Sequence, residues 1–111
     1  MWLPAVRAAQ AKKATDLKVL DLREVTSFTD FFIICTGGNP RQIRAIAEEV
    51  VTALKQVGER AVGTEGIDSD DWALLDYGNF VVHVFSEKAR QYYDLERLWR
   101  HAAVVDVPDQ D

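Results

Sequence analysis

The chain has 111 residues, of which 48% are apolar and 28% are charged, and its formal net charge is −5. This length corresponds to one domain, and this composition is typical of a globular protein rather than a disordered or fibrous one. An acidic balance argues against a protein that binds mainly a nucleic-acid backbone, because neutralising phosphates requires clustered lysine and arginine. We therefore expect no direct sequence-specific contact with nucleic acid.

The first elements predicted along the chain are an alanine-rich helix over residues 4–14, a strand over 17–22 and a turn over 26–30. The apolar run over residues 31–36 ends at Gly37-Gly38. A continuous apolar run bounded by turn residues is typical of a central strand that is buried on both faces.

The clearest predicted helix begins at Asn39, whose side chain suits an N-cap. Pro40 occupies the first helical position, and Gln42 lies where a capping box places its reciprocal residue. Apolar residues then recur at spacings of three and four and form one stripe, which comprises Ile43, Ile46, Ala47, Val50, Leu54 and Val57. Gly58 is placed to end the helix with positive φ.

The second half of the chain predicts strands over residues 60–65, 72–77 and 80–85, with a polar loop over 66–71. Gly78-Asn79 is a two-residue hairpin signal that joins the last two strands.

Side chains alternate between the two faces of a strand, so the sequence also assigns faces within this hairpin. One face of the first hairpin strand carries Trp72, Leu74 and Asp76. One face of the second carries Phe80, Val82 and Val84, and its other face carries Val81, His83 and Phe85.

Ser86 suits the cap of a last helix that extends to about Trp99. The segment after Ala103 is short and acidic and contains Pro108, so we expect residues 104–111 to be a loose tail behind a single domain of residues 1–103. This order predicts an α/β fold with a single mixed β-sheet of about five strands packed against helices.

Few residues suggest catalysis. The Gly37-Gly38-Asn39-Pro40 turn precedes a helix, where a phosphate can bind, but it matches neither GxGxxG nor GxxxxGK[ST] and favours a plain tight turn. Acids cluster in the 66–71 loop rather than on a rigid frame that could hold a metal pair. We therefore expect no catalytic residue, no metal and no cofactor.

Two further residues are interpreted as core residues. Cys35 is the single cysteine, so no internal disulfide can form, and it lies within an apolar run. His83 stands between two valines, which favours a hydrogen-bonded histidine in or beside the core over a partner contact. We also expect a cytoplasmic protein without a membrane association, because no signal-peptide pattern and no apolar stretch of about 20 residues is visible.

Several segments, in one order along the chain, resemble the ribosomal silencing factor family, also called RsfS or Iojap. They cover about residues 5–100, and they are Lys18–Leu22, Phe28–Gly37, Arg41–Ile46, Glu65-Gly66, Trp72–Gly78, Val81–Phe85 and Tyr93–Trp99. The resemblance implies binding to ribosomal protein number fourteen on the intersubunit face of the large ribosomal subunit. It also implies a steric block to joining of the small subunit, repression of translation, a homodimer when free, and a nucleotidyltransferase-like topology without catalytic residues.

An acidic stretch agrees with such a partner. Between Glu59 and Asp76 there are six acids and one base, Arg60, so this segment has a net charge of −5. That sign suits a basic ribosomal protein, although a solvated loop explains it as well.

We expect the partner to be bound by the hairpin and the following helix, through Trp72, Leu74, Asp76, Tyr77, His83, Tyr93 and Asp94. In this hypothesis Trp72 and Tyr93 are buried anchors, while Asp76 and Asp94 pair with lysine or arginine. Two alternatives stay open: a nucleotide-binding or nucleotidyltransferase-like enzyme, and a structural dimer module without a ribosomal role.

Overall fold

The protein is a mixed β-sheet with helices on both faces, in a computed structural model that describes residues 1–108. The elements in chain order are α1 (Leu3–Ala11), β1 (Thr15–Asp21), β2 (Phe31–Thr36), α2 (Pro40–Gln56), β3 (Gly63–Glu65), β4 (Trp72–Asp76), β5 (Phe80–Phe85), α3 (Glu87–Tyr93), α4 (Leu95–Leu98) and β6 (Ala103–Val105). The strands lie in the order β3-β4-β5-β2-β1-β6. The predicted α/β class with one mixed sheet is confirmed, with six strands rather than about five.

The centre of the sheet is the parallel pair β2 and β5, and each other pair of neighbouring strands is antiparallel. β2 is buried on both faces, as its apolar run predicts. Cys35 in this strand is fully buried, and desolvation raises the pKa of its thiol to about 12, so it acts as a core residue.

Two hydrophobic layers flank the sheet. One lies under α1 and α2, where the apolar stripe of α2 from Ile43 to Leu54 is fully buried. Burying each isoleucine, valine or leucine of this stripe contributes about 1.5–3 kcal/mol. The other layer contains Phe32, Phe85 and Ala89 and is only partly covered by α3 and α4. The predicted hairpin is confirmed, because β4 and β5 pair antiparallel. The predicted faces of its second strand are confirmed as well, since Phe80 lies in the first layer and Phe85 in the second.

The turn between β2 and α2 is closed by its own side chains. Asn39 Oδ1 accepts a hydrogen bond from the N–H of Gln42 at 2.8 Å, and Gln42 Oε1 accepts one from the N–H of Gly38 at 2.6 Å. The reciprocal bond thus reaches one residue earlier than a capping box predicts. Gln42 Nε2 also donates to the carbonyls of Lys12 and Lys13. These bonds agree with a plain tight turn.

The single helix predicted from Ser86 to about Trp99 is wrong in its second half. Ser86 Oγ does accept a hydrogen bond from the N–H of Ala89. However, α3 ends at Tyr93, because Asp94 adopts the left-handed conformation with φ of 49°. Aspartate tolerates this conformation better than most residues. The separate helix α4 follows.

The loose tail predicted from residue 104 is wrong for residues 104–108. The strand β6 pairs with β1, with Val105 opposite Val19, and Gln10 Nε2 donates a hydrogen bond to the carbonyl of Pro108 at 2.8 Å. Three residues are too few for a period-two pattern to be recognised in the sequence, so only the pairing reveals this strand. Residues 109–111 of the predicted tail lie outside the described residues.

Candidate protein-docking surface

A cluster of aromatic rings lies on the sheet face that α3 and α4 only partly cover, and Trp72 is at its centre. The centroid of its indole is 4.5 Å from the ring of Tyr93, 4.9 Å from Phe85 and 5.9 Å from His83. Tilted ring contacts of this kind contribute about 0.5–1.5 kcal/mol each beyond the buried area. The half-buried indole is therefore held in one orientation while part of it reaches solvent.

The row of rings continues across the sheet. Phe32 lies 4.5 Å from His83 and 5.9 Å from Trp99, and Phe28 lies 5.8 Å from Trp99. Phe28 is 59% exposed, so the row ends in solvent. Sequence reasoning missed Phe28, Phe32 and Trp99 as parts of the site, because they lie far from the hairpin in the chain and only the sheet brings them to it.

His83 lies below this surface rather than on it. Trp72 Nε1 donates a hydrogen bond to His83 Nδ1 at 3.2 Å. Because an indole N–H can only donate, Nδ1 accepts and the proton of the neutral imidazole is on Nε2. The residue is 3% exposed, and desolvation lowers the pKa of its imidazole to about 4. His83 is thus a hydrogen-bonded core histidine that orients Trp72.

An open groove borders the indole at the edge of the sheet. It is lined by Glu65, Gly66, Ser69, Asp71, Trp72, Leu74 and Tyr93. Asp71 accepts a hydrogen bond from Ser86 Oγ at 2.9 Å, and neither Glu65 nor Asp71 takes part in the ion pairs found within residues 1–108. Two aromatic rings beside unpaired carboxylates are the chemistry that recognises a lysine or arginine side chain.

The two predicted acidic contact residues, Asp76 and Asp94, differ in their local surroundings. Asp76 shares the face of β4 with Trp72 and Leu74, but its carboxylate also accepts the N–H of Gly78 at 2.8 Å and so supports the hairpin turn. Asp94 follows Tyr93 at the corner between α3 and α4, where it is half-buried.

Tyr77 is not brought to this surface. Its ring stacks on Phe80 at 5.1 Å, within the layer under α1 and α2. Its hydroxyl is buried without a hydrogen-bond partner among the described residues. Burial, and secondarily the charge of Glu59, raise the pKa of this hydroxyl. The structure therefore groups Tyr77 with the hydrophobic core and not with the other predicted contact residues.

Arg90 is a residue that sequence reasoning did not single out. Its Nε donates to Glu96 Oε1 at 2.9 Å, and one terminal nitrogen donates to the carbonyl of Asp16 at 2.5 Å and to Thr36 Oγ1 at 2.9 Å. Glu96 also pairs with Lys18 at 3.1 Å. The hydrogen bond from Arg90 is the main reason why the pKa of Glu96 is lowered. No local pattern predicts these bonds, since Asp16 is 74 residues away in the chain.

Within residues 1–108, no three His, Cys, Asp or Glu side chains are placed to hold a metal ion. In the same range, the helices are too short or too polar to cross a membrane.

This fold and this surface define a small α/β protein that presents a preformed, ring-lined groove with acids at its rim. A family model described as "Ribosomal silencing factor during starvation" matches residues 1–111, so the chain belongs to the ribosomal silencing factor (RsfS) family, a group of translation regulators. The resemblance seen in the sequence is thereby confirmed.

Individual relatives agree with this assignment. The ribosomal silencing factor of Bacillus subtilis is 38% identical over 103 residues, which is 93% of this chain and 87% of that protein. A mouse protein named "Mitochondrial assembly of ribosomal large subunit protein 1" is 32% identical over 97 residues, which is 85% of this chain and 42% of that protein. A crystal structure of a Chromobacterium violaceum protein superposes with a TM-score of 0.84 at 36% identity, covering 96% of this chain and 84% of that one.

Proposed function

We propose that this chain binds the large ribosomal subunit and keeps the small subunit from joining it, which represses translation without any bond being made or broken. Membership of the silencing family supports a ribosomal role, and so does the large-subunit assembly named for the mouse relative. The observation that carries the proposal is the groove in which the tilted rings of Trp72 and Tyr93 are in contact beside Leu74, with Glu65 and Asp71 at its rim.

The proposed partner is ribosomal protein number fourteen on the intersubunit face, as the sequence resemblance implies. Trp72, Leu74 and Tyr93 would form the apolar centre of the contact. Asp76 and Asp94 would pair with basic residues of the partner, and the acidic rim of the groove would orient the approach. His83 would act indirectly, by holding the Trp72 indole through their hydrogen bond.

The size of the protein fits a steric mechanism. Its solvent-accessible surface is 6606 Å². A standard protein–protein interface takes about 800 Å² from each partner. Most of the bound protein would therefore still project from the large subunit, in the space that the small subunit must enter. We further propose that the protein is cytoplasmic and that it forms a homodimer when it is free.

Co-sedimentation with purified large and small subunits tests the proposal. The sharpest variant is Leu74→Lys, because this half-buried side chain lines the groove and a lysine there opposes a basic partner. Val57→Lys is the matched control: this residue is 59% exposed and ends α2, a helix on the other side of the sheet. Removing a central contact raises Kd about 30-fold, which corresponds to about 2 kcal/mol.

We expect the unchanged chain and Val57→Lys to sediment with large but not small subunits, and Leu74→Lys to remain in the supernatant. In a light-scattering assay, the unchanged chain should slow subunit joining. Subunits that join equally fast in its presence would refute the proposal. A calorimetric titration with nucleoside triphosphate and magnesium should show no binding, and micromolar affinity there would favour the enzymatic alternative.

A further inference from the structure

The sheet has a crevice where proteins of this architecture often bind ligands. β2 and β5 are parallel neighbours, and the helix that follows each of them packs on a different face of the sheet. Ligand sites in open α/β sheets lie outside the carboxyl ends of strands at such a point. Here the residues that line the groove at the carboxyl end of β2 include Asp16, Lys18, Thr36, Arg90, Asp94 and Glu96.

A side chain of the protein itself occupies this position. The guanidinium of Arg90 bonds the hydroxyl of Thr36 at the end of β2, the carbonyl of Asp16 in β1, and the carboxylate of Glu96 in α4. The Arg90 side chain is only 11% exposed. One cation thus connects four elements of the fold, because Arg90 itself belongs to α3.

These bonds surround the corner that carries the docking surface. Arg90 lies before the left-handed residue Asp94 and Glu96 lies after it, so their ion pair closes a loop around the corner. Tyr93 is the last residue of α3 and contacts the Trp72 indole from this corner. The ion pair restrains the mutual orientation of the two short helices α3 and α4, because helices of this length are not stable alone and depend on tertiary contacts.

We infer that Arg90 is a positioning residue of the docking surface, which fixes the Asp94 corner so that Tyr93 lies against Trp72 before a partner arrives. The inference rests on the proposed function. Holding a contact residue in its bound geometry improves affinity, since less conformational entropy is then lost on binding. The planar guanidinium is suited to this role, because it bonds several acceptors in fixed directions at once.

A double-mutant cycle on large-subunit binding tests the inference. Arg90→Gln should raise Kd about tenfold, since the freed corner must be ordered on binding. If Arg90 acts by positioning the ring of Tyr93, its effect on binding disappears once that ring is removed. Arg90→Gln introduced into Tyr93→Ala should therefore change Kd less than twofold. If the double variant instead shows the product of the two single fold-changes in Kd, the two residues act independently and the inference is overturned. All Kd values are measured where circular dichroism shows each variant to be folded, because a purely stabilising role lowers the melting temperature and leaves Kd of the folded protein unchanged.

Two further variants complete the design. Glu96→Gln weakens the same ion pair from α4 without removing the guanidinium, so it should also raise Kd. This variant replaces Arg90→Gln in the test if Arg90→Gln does not fold. Lys18→Gln is the matched control, because Lys18 is the other, more exposed cation on Glu96 and does not bond Asp16 or Thr36. We expect its Kd to stay within about twofold of the unchanged chain. An equal loss in Lys18→Gln and Glu96→Gln would assign the effect to the Lys18–Glu96 pair rather than to Arg90, and would overturn the inference.

A measurement on the free protein separates this inference from the proposed function. Nuclear Overhauser effects between the rings of Trp72 and Tyr93 report their contact without any ribosome. We expect them in the unchanged chain and in Lys18→Gln, and we expect them to weaken in Glu96→Gln or Arg90→Gln. Undiminished ring contacts in those two variants would overturn the role of Arg90 even if the chain silences ribosomes as proposed. Failure of the unchanged chain to bind large subunits would instead refute the proposed function.

Discussion

The indole N–H of Trp72 donates its hydrogen bond to Nδ1 of His83, and this bond exists only while the imidazole is neutral. Burial lowers the pKa of His83 from its ordinary 6.5 to about 4. The unfolded chain therefore binds this proton first as the pH falls. The contribution of neutral His83 to stability is complete above pH 6.5 and is lost progressively down to about pH 4, by about 3 kcal/mol in total.

Urea unfolding at several pH values checks this prediction. The difference in unfolding free energy between the unchanged chain and His83→Leu should shrink as the pH falls through this window. Comparison with the variant removes the contribution of carboxylates that titrate nearby. Parallel pH curves for the unchanged chain and His83→Leu would contradict the prediction.

Tyr77→Phe tests which face of the sheet binds the partner. Its hydroxyl is buried without a partner among the described residues, so removing it should leave the unfolding free energy unchanged or raise it by about 1 kcal/mol. Since the ring stacks on Phe80 under the helices, large-subunit affinity should not change. A tenfold loss of affinity, with stability retained, would return Tyr77 to the contact set.

Gly37→Ala should destabilise the turn before α2. An added Cβ would lie 2.7 Å from Cγ1 and 3.0 Å from the backbone nitrogen of Ile43, a fully buried residue. Such overpacking costs about 1–3 kcal/mol. Gly63→Ala is the matched control, because, apart from its chain neighbours, no atom of residues 1–108 lies within 4 Å of its Cβ position. Equal unfolding free energies for the two variants would contradict the prediction, because Ile43 could then move away from the added Cβ without loss of stability.

Asp94→Asn separates the charge of this residue from its conformation. Asparagine also tolerates the left-handed backbone found at Asp94, so the unfolding free energy should stay within about 0.5 kcal/mol. Asp94→Ala, in contrast, should cost about 1–2 kcal/mol, because alanine lacks the short polar side chain that lets aspartate and asparagine tolerate this conformation. If Asp94 pairs with a basic partner residue, both variants lose affinity and the salt dependence of binding weakens. Unchanged affinity in Asp94→Asn would restrict Asp94 to its role at the corner.

Much of this molecule could be predicted from local patterns. The buried strand β2, the Asn39 cap and the Gly78-Asn79 hairpin were each predicted and are found. Their signals act over a few residues, through side-chain alternation, capping and turn geometry, and for that reason they can be recognised without a structure. The aromatic and acidic character of the hairpin was visible in the same way.

The tertiary structure decided which aromatic and charged residues come together on the docking surface. Tyr77, from the predicted contact set, is an exception, since alternation along this strand already places it on the face opposite Trp72, Leu74 and Asp76, where it is found. Phe28 precedes β2 and Trp99 follows α4, and both join the surface only because the fold brings their rings within 5.8 Å of each other. The strand β6 exists only because β1 offers it an edge. Arg90 reaches Asp16 and Thr36 across 74 and 54 residues. Contacts at such separations depend on the path of the whole chain, and no local periodicity records that path.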